Sequence, residues 1–169
     1  MKINKTVVIG SGIMGSGIAA QLCNANIPVT LLDLKTEISE KAKKRFFESR
    51  PPLLIDKNKI NNIKAGNIEE NFDTVKEADW IVEAVVERLD IKHNLYEKIL
   101  KTRKKDSIIS SNTSTIPLKV LSEKMSDEDK KDFCITHFFN PVRYMSLLEI
   151  VSENINDTKK INFLPVVFL

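Results

Sequence analysis

Residues 7–19 read VVIGSGIMGSGIA, which places Gly10, Gly12, Gly15 and Gly17 directly behind a short apolar run. The chain of 169 residues holds only 5 glycines, the fifth being Gly66. Glycine loses more backbone freedom on folding than any other residue, so a cluster of four implies a tight bend or a close approach that no side chain would permit. Residues 6–9 are β-branched and apolar, the pattern of a buried strand. Residues 12–24 follow with Ile13, Ala20 and Leu22 in roughly helical register, and asparagines at 24 and 26 suit a helix end. A second strand over residues 29–32 ends at Asp33.

Strand, glycine turn, helix, strand and an acidic residue about 20 positions on is the setting in which Gly-x-Gly-x-x-Gly holds a dinucleotide. Gly10 permits the tight turn, Gly12 lets backbone approach a pyrophosphate, and Gly15 lets the helix pack close to the strand. Ile13 and Met14 open the helix, whose unpaired N–H groups and positive dipole end favour phosphate, so both count among the cofactor-binding residues. Gly17 is extra to the motif and suits close packing. The Asp33 carboxylate would accept hydrogen bonds from ribose hydroxyls and repel a 2′-phosphate, which favours NAD over NADP.

The remainder continues the alternation. A charged helix is expected over residues 35–50, stopped by Pro51 and Pro52, then a short helix over 56–63, a strand over 63–68 and a short helix over 69–77. A buried strand covers 80–86 and an amphipathic helix 89–100. A strand over 107–111 leads into a polar turn, and a helix over 116–125 carries Pro117 at its start. Two apolar strands, 133–139 and 147–151, complete the pattern. The fold class expected is α/β: a Rossmann-type, doubly wound, mostly parallel sheet with helices on both faces, forming one NAD-binding domain over residues 1–169.

Composition fits a globular chain: 42% hydrophobic, 29% charged, net charge +3. The basic clusters at 41–45 and 101–105 lack the interleaved aromatics of a nucleic-acid surface and read as solvated helix faces. No apolar run reaches the ~18–20 residues of a membrane span, and with the motif this early no leader is expected. Nucleic acid and membrane are therefore not expected as partners. Cys23 and Cys134 show no metal-ligand spacing, no metal site is expected, and both read as buried thiols of a cytoplasmic protein.

Of the two histidines, His93 falls among polar neighbours and reads as a surface residue. His137 ends an apolar strand, where doubly wound folds bind ligands, and can take a proton near neutral pH. Glu149 comes 12 residues later in another strand; a hairpin or crossover could return it to His137 to fix the tautomer. Residues 110–115, SSNTST, bring hydroxyls and an amide to the end of a different strand.

Taken in order, GSGIMGSGIA, VEAVVE, SSNTST, HFFNP and LLEIV resemble the NAD-binding domain of 3-hydroxyacyl-CoA dehydrogenase over residues 5–151. The resemblance implies oxidation of the 3-hydroxyl of an acyl-CoA to a ketone, with hydride passing to NAD. It implies that His137 is the catalytic base, Glu149 its carboxylate partner, and Ser114 a hydrogen-bond donor to the substrate oxygen. Asn140 corresponds to an asparagine near the nicotinamide, and Glu87 and Lys92 to residues that contact the cofactor. Lys41 and Lys44 lie on a stretch that could meet coenzyme A phosphates. The family continues into a helical domain that closes the acyl-CoA site and forms most of the dimer interface. Residues 152–169 depart from its pattern, with a shortened helix and LPVVFL, leaving Phe163, Phe168 and Leu169 as expected interface residues. The expected partner is then a separate helical domain or a second copy that supplies the helical half, or else the domain is weakly active alone. The alternatives are a non-catalytic remnant that still binds NAD(H), or another β-hydroxyacid dehydrogenase; the His137/Glu149 pair disfavours the latter, which relies on a lysine in a later helix.

Overall fold

Apolar alternation along the central strands splits the interior into two cores. In the computed structural model, which describes residues 2–164, Val8 of β1 (Thr6–Ile9) faces one core while Val7 and Ile9 face the other. Trp80 and Val82 of β4 (Trp80–Glu83) join Val8, whereas Ile81 joins Val7. A sheet apolar on both faces must be covered on both. Against the first face pack α1 (Ile13–Asn24), through Ile18 and Leu22, and α2 (Thr36–Glu48), through Ala42 and Phe46. The second face is covered by α3 (Leu89–Thr102), through Leu95, Tyr96 and Ile99, and by Phe72 and Val75 of a 3-10 turn. Each such fully buried large apolar side chain stabilises the fold by about 1.5–3 kcal/mol.

The seven strands run in the order β3-β2-β1-β4-β5-β6-β7, where β2 is Val29–Asp33, β3 Ile63–Asn67, β5 Ile108–Ser111, β6 Phe133–Phe138 and β7 Leu148–Val151. Neighbours pair in parallel from β3 through β6, and β7 is antiparallel to β6. The strand order reverses at β1, whose Ile9 lies level with Leu32 on one side and Glu83 on the other. Ligands of doubly wound sheets bind in the crevice that opens at this reversal.

The fold expected from the sequence is the fold observed, with local differences. The helices expected over 56–63 and 69–77 are 3-10 turns, Lys57–Asn62 and Phe72–Glu77; each is too short to repay α-helix nucleation without an apolar stripe. Strand β4 stops at Glu83 rather than 86, because the Val85 N–H turns back to the Glu83 carboxylate (2.8 Å). The helix expected over 116–125 shrinks to α4 (Leu118–Leu121), with Pro117 as its N-cap, and Ser122 bonds back to the Leu118 carbonyl (2.9 Å). Beyond it come α5 (Asp127–Lys130) and, after β7, α6 (Thr158–Ile161). His93 is buried, not on the surface: α3 packs against α4, and Nε2 of His93 donates to the Val120 carbonyl (3.0 Å). Phe163 is half-buried against the first core; Phe168 and Leu169 lie outside the described residues. Among the described residues no helix is long and apolar enough to cross a membrane.

One contact sets the seat of α1. A Cβ on Gly15 would lie 1.8 Å from the Gly10 carbonyl oxygen, a backbone atom that cannot move aside. Gly15→Ala should therefore cost about 3 kcal/mol or more, read as a fall in the urea midpoint with unchanged slope; a variant as stable as the wild type would refute this seating.

Candidate functional site

A cleft of about 580 Å³ opens at the β1/β4 reversal, lined by Gly10, Ser11, Gly12, Asp33, Arg45 and Lys98 with apolar walls from Leu34, Ile38, Ile68 and Val86. Three glycines shape it for different reasons. Gly10 has φ +99, and its Cβ would strike the Ala84 carbonyl at 2.4 Å. Gly15 is excluded from bearing a Cβ by Gly10 itself. A Cβ on Gly12 would meet nothing within 4 Å, so the protein's own packing does not demand glycine there; the bare backbone keeps space open at the start of α1. Neither Gly12 nor any acidic residue caps that helix, which leaves its N–H groups, including those of Ile13 and Met14, for an anion. Gly17 serves packing, since its Cβ would meet Val142 at 2.8 Å.

Asp33 ends β2 at the cleft. Its Oδ2 accepts from the Ser11 N–H (2.7 Å) and Ser11 Oγ (2.6 Å), and its Oδ1 accepts from the Leu34 N–H (2.8 Å). These bonds hold the carboxylate in place beside the glycine turn, with acceptor capacity to spare. The open glycine turn, the uncapped helix and this carboxylate fit a dinucleotide.

Farther along the carboxyl ends of the strands, β6 and β7 meet in antiparallel register with His137 directly opposite Glu149. Nδ1 of His137 lies 2.8 Å from Glu149 Oε2. The carboxylate can only accept, so Nδ1 carries a proton, and in the neutral ring Nε2 then presents its lone pair. Nε2 faces Ser114 Oγ at 3.2 Å. The turn that carries Ser114 is pinned to β6 by Asn112, whose Oδ1 accepts from the Phe138 N–H (2.9 Å). The Phe139 ring lies 4.5 Å from the imidazole, centroid to centroid. The imidazole is 22% exposed, enough for an incoming group to reach it.

Behind the Ser114 turn sits a charged network. Glu83, fully buried at the end of β4, accepts from the Val85 N–H, Lys92 Nζ (2.7 Å), Tyr96 Oη (2.7 Å) and Ser111 Oγ (2.6 Å). Four donors are what a carboxylate needs to remain buried. The Lys92 ammonium also reaches Glu87 Oε2 at 3.2 Å. Glu87 in turn accepts from Thr113 Oγ1, Thr115 Oγ1 (3.1 Å) and the Ser114 N–H (3.3 Å). Burial alone would raise its pKa, but the Thr113 hydrogen bond and the Lys92 charge outweigh burial and hold the carboxyl down to about 2. The two thiols of the chain are unsuited to nucleophilic work: burial pushes Cys23 up to about 11 and Cys134 up as well.

The structure thus brings His137, Glu149 and Ser114 together, places Gly10, Gly12 and Asp33 in the lining of the cleft, and sets Ile13 and Met14 in the first turn of α1, directly after Gly12. The two residues that follow β4 are in contact but differ in access: Glu87 is half-exposed, while Lys92 is buried behind it and committed to Glu83 and Glu87. Asn140 follows β6, exposed, with no hydrogen bond among the described residues. Lys41 and Lys44 are exposed on α2. Sequence reasoning overlooked Glu83 and Arg45, and marked Asn112 only as the amide of the SSNTST turn. An acid closing an otherwise apolar strand was the available signal for Glu83; Arg45 sat unmarked in a basic run. Among the described residues no cluster of three His, Cys, Asp or Glu could hold a metal.

Comparison with known proteins gives concordant results. A family model described as 3-hydroxyacyl-CoA dehydrogenase, NAD binding domain, matches residues 5–166. A Rickettsia felis protein provisionally named a fatty acid oxidation complex trifunctional enzyme is 46% identical, over 90% of this chain and 22% of its own length. A probable 3-hydroxyacyl-CoA dehydrogenase of Deinococcus radiodurans is 42% identical, over 93% of this chain and 47% of its own. The solved 3-hydroxyacyl-CoA dehydrogenase of Archaeoglobus fulgidus superposes with a TM-score of 0.80 at 27% identity, covering 97% of this chain and 52% of that one. The chain therefore spans half or less of the length of these protein relatives and about half of that solved structure.

Acid should dissolve the Glu87 cluster in a defined window. A carboxyl whose pKa is lowered by folding contributes stability at pH above its unfolded value near 4.3, and loses it as pH falls toward the folded value of about 2. Stability should accordingly decline between about pH 4.5 and 2, and Glu87→Gln should flatten that part of the profile. A Gln variant with the wild-type acid profile would contradict the network.

Proposed function

The chain belongs to the 3-hydroxyacyl-CoA dehydrogenase NAD-binding family, and on that premise we propose that it is the cofactor-binding and catalytic part of an enzyme oxidising 3-hydroxyacyl-CoA to 3-ketoacyl-CoA, as in fatty acid β-oxidation. The observation that carries the proposal is the single hydrogen-bonded line Glu149–His137–Ser114, in a sheet whose strand reversal also opens a dinucleotide cleft. Family membership makes NAD the cofactor, and the cleft fits it: Gly12, Ile13 and Met14 offer backbone N–H groups to the pyrophosphate, and Asp33 offers acceptors to the adenosine ribose.

When bound, NAD supplies an acceptor for the hydride leaving C3 of the substrate. The protein's own residues handle the proton. His137 Nε2 takes it from the 3-hydroxyl as the C–O bond becomes a carbonyl. Glu149 keeps the proton on Nδ1, so that Nε2 starts as a base, and then stabilises the imidazolium. Ser114 donates to the same oxygen and holds it in line with Nε2. Glu87, fixed by Thr113 and Lys92, sets the turn that aims Ser114. Asn140 lies at the nicotinamide end of the cleft in this reading. The acyl-CoA reaches the site across β7 and the segment before it, where Tyr144, Met145, Leu147 and Val151 are exposed and a helical domain or second copy completes the pocket. The reduced, buried cysteines suit a cytoplasmic setting.

His137→Ala should lower the rate of NADH oxidation with acetoacetyl-CoA by about 10²–10⁴-fold while leaving NADH affinity unchanged. Glu149→Gln should fall between, because the wrong tautomer becomes accessible. Full activity in the Ala variant would remove His137 from the chemistry; NADH binding without wild-type turnover would favour a non-catalytic cofactor-binding module.

A further inference from the structure

We propose that Arg45 is a phosphate ligand of the dinucleotide cleft, holding the NAD pyrophosphate from the α2 side. The proposal rests on the cofactor reading above and adds to it a residue that lies in no motif. Arg45 belongs to a basic run along α2 and is exposed like Lys41 and Lys44, yet the end of its side chain reaches back to the protein. Nη2 crosses to the glycine turn, where it donates to the Ser11 carbonyl and to Ser16 Oγ (3.2 Å). It thereby lines the same cleft as Gly10, Gly12 and Asp33.

Three features separate this guanidinium from the other cations nearby. No carboxylate pairs with it among the described residues, whereas Lys43 lies 4.0 Å from Glu40. Its Nε and Nη1 have no hydrogen-bond acceptor among those residues, so three N–H donors remain available. Lys98, the other cation lining the cleft, is occupied by the Ile68 carbonyl (3.2 Å) and sits over the Phe72 ring (4.2 Å). Electrostatics points the same way. The pyrophosphate brings two negative charges to a turn that already carries Asp33, and α1 supplies only N–H dipoles. A guanidinium fixed at the turn offsets that charge and presents its planar fork to phosphate oxygens. Asp33 beside the ribose position argues against a 2′-phosphate as its target.

The test is calorimetric titration of the wild-type chain, Arg45→Gln and Arg45→Lys with NADH, and with ADP, adenosine, NADPH and coenzyme A as separate ligands. Arg45→Gln should weaken NADH and ADP about tenfold at low salt and leave adenosine unchanged; Arg45→Lys should restore part of the loss. The wild-type affinity for NADH should fall with added salt more steeply than that of the Gln variant. Equal NADH affinity in wild type and Gln variant overturns the proposal. So does a parallel loss of adenosine, which would make Arg45 a structural brace of the turn. A loss confined to coenzyme A, or a wild-type preference for NADPH that disappears in the Gln variant, would assign the guanidinium to a different phosphate. If the wild type binds no NADH, the cofactor reading itself fails, a result distinct from a silent Arg45 substitution.

Discussion

No side chain fits between the first turn of α1 and the end of β1. That exclusion, enforced where a Gly15 Cβ would lie 1.8 Å from the Gly10 carbonyl, fixes the helix axis over the point where strand order reverses. Gly10, turned to positive φ against the Ala84 backbone, ties the end of β1 to the end of β4. The nucleotide side and the proposed catalytic side of the molecule therefore share one hinge of backbone. The open face of Gly12 then has a purpose that packing alone does not give it: it keeps the helix N-terminus bare for a phosphate.

The side proposed to be catalytic is organised by charge. Glu83 lies directly beyond the glycine turn on β4 and is buried with four hydrogen-bond donors. A buried ion pair seldom adds net stability once desolvation is counted, but it fixes geometry tightly when every partner is satisfied. Lys92 transmits that geometry to Glu87, and Glu87 to the Thr113–Ser114–Thr115 turn. From the other edge, the β6–β7 register sets Glu149 opposite His137. Two independent constraints thus converge on the line from Glu149 through His137 to Ser114, one through sheet pairing and one through buried charge.

Much of this was legible in the sequence because it is local. The glycine spacing, the acid at the end of β2 and the apolar strand runs are each fixed by backbone chemistry within a few residues. His137 and Glu149 were legible as a pair because two strands joined by a short connection pair antiparallel. What escaped was long-range or compensated. His93 read as a surface residue because its neighbours are polar, yet α4 covers it and the Val120 carbonyl satisfies it. The expected helix over 116–125 lost its second half to Ser122, whose hydroxyl competes for backbone. Arg45 looked like one more solvated cation, since nothing within α2 shows that the Ser11 carbonyl lies within its reach. Lys92 matched a motif for cofactor contact, and only the buried end of β4 shows where its ammonium is held.

The most direct test of the account is to follow backbone amide resonances of the chain as NADH is added. The account predicts the largest shifts at Gly10, Gly12, Ile13, Met14 and the end of β2 at Asp33, with smaller ones at the Ser114 turn. The other large cavity, lined by His93, Leu121 and Met125 between α3 and α4, should stay silent. Shifts confined to that cavity, or none at the glycine turn, would contradict the claim that the α1–β1 contact exists to seat a dinucleotide.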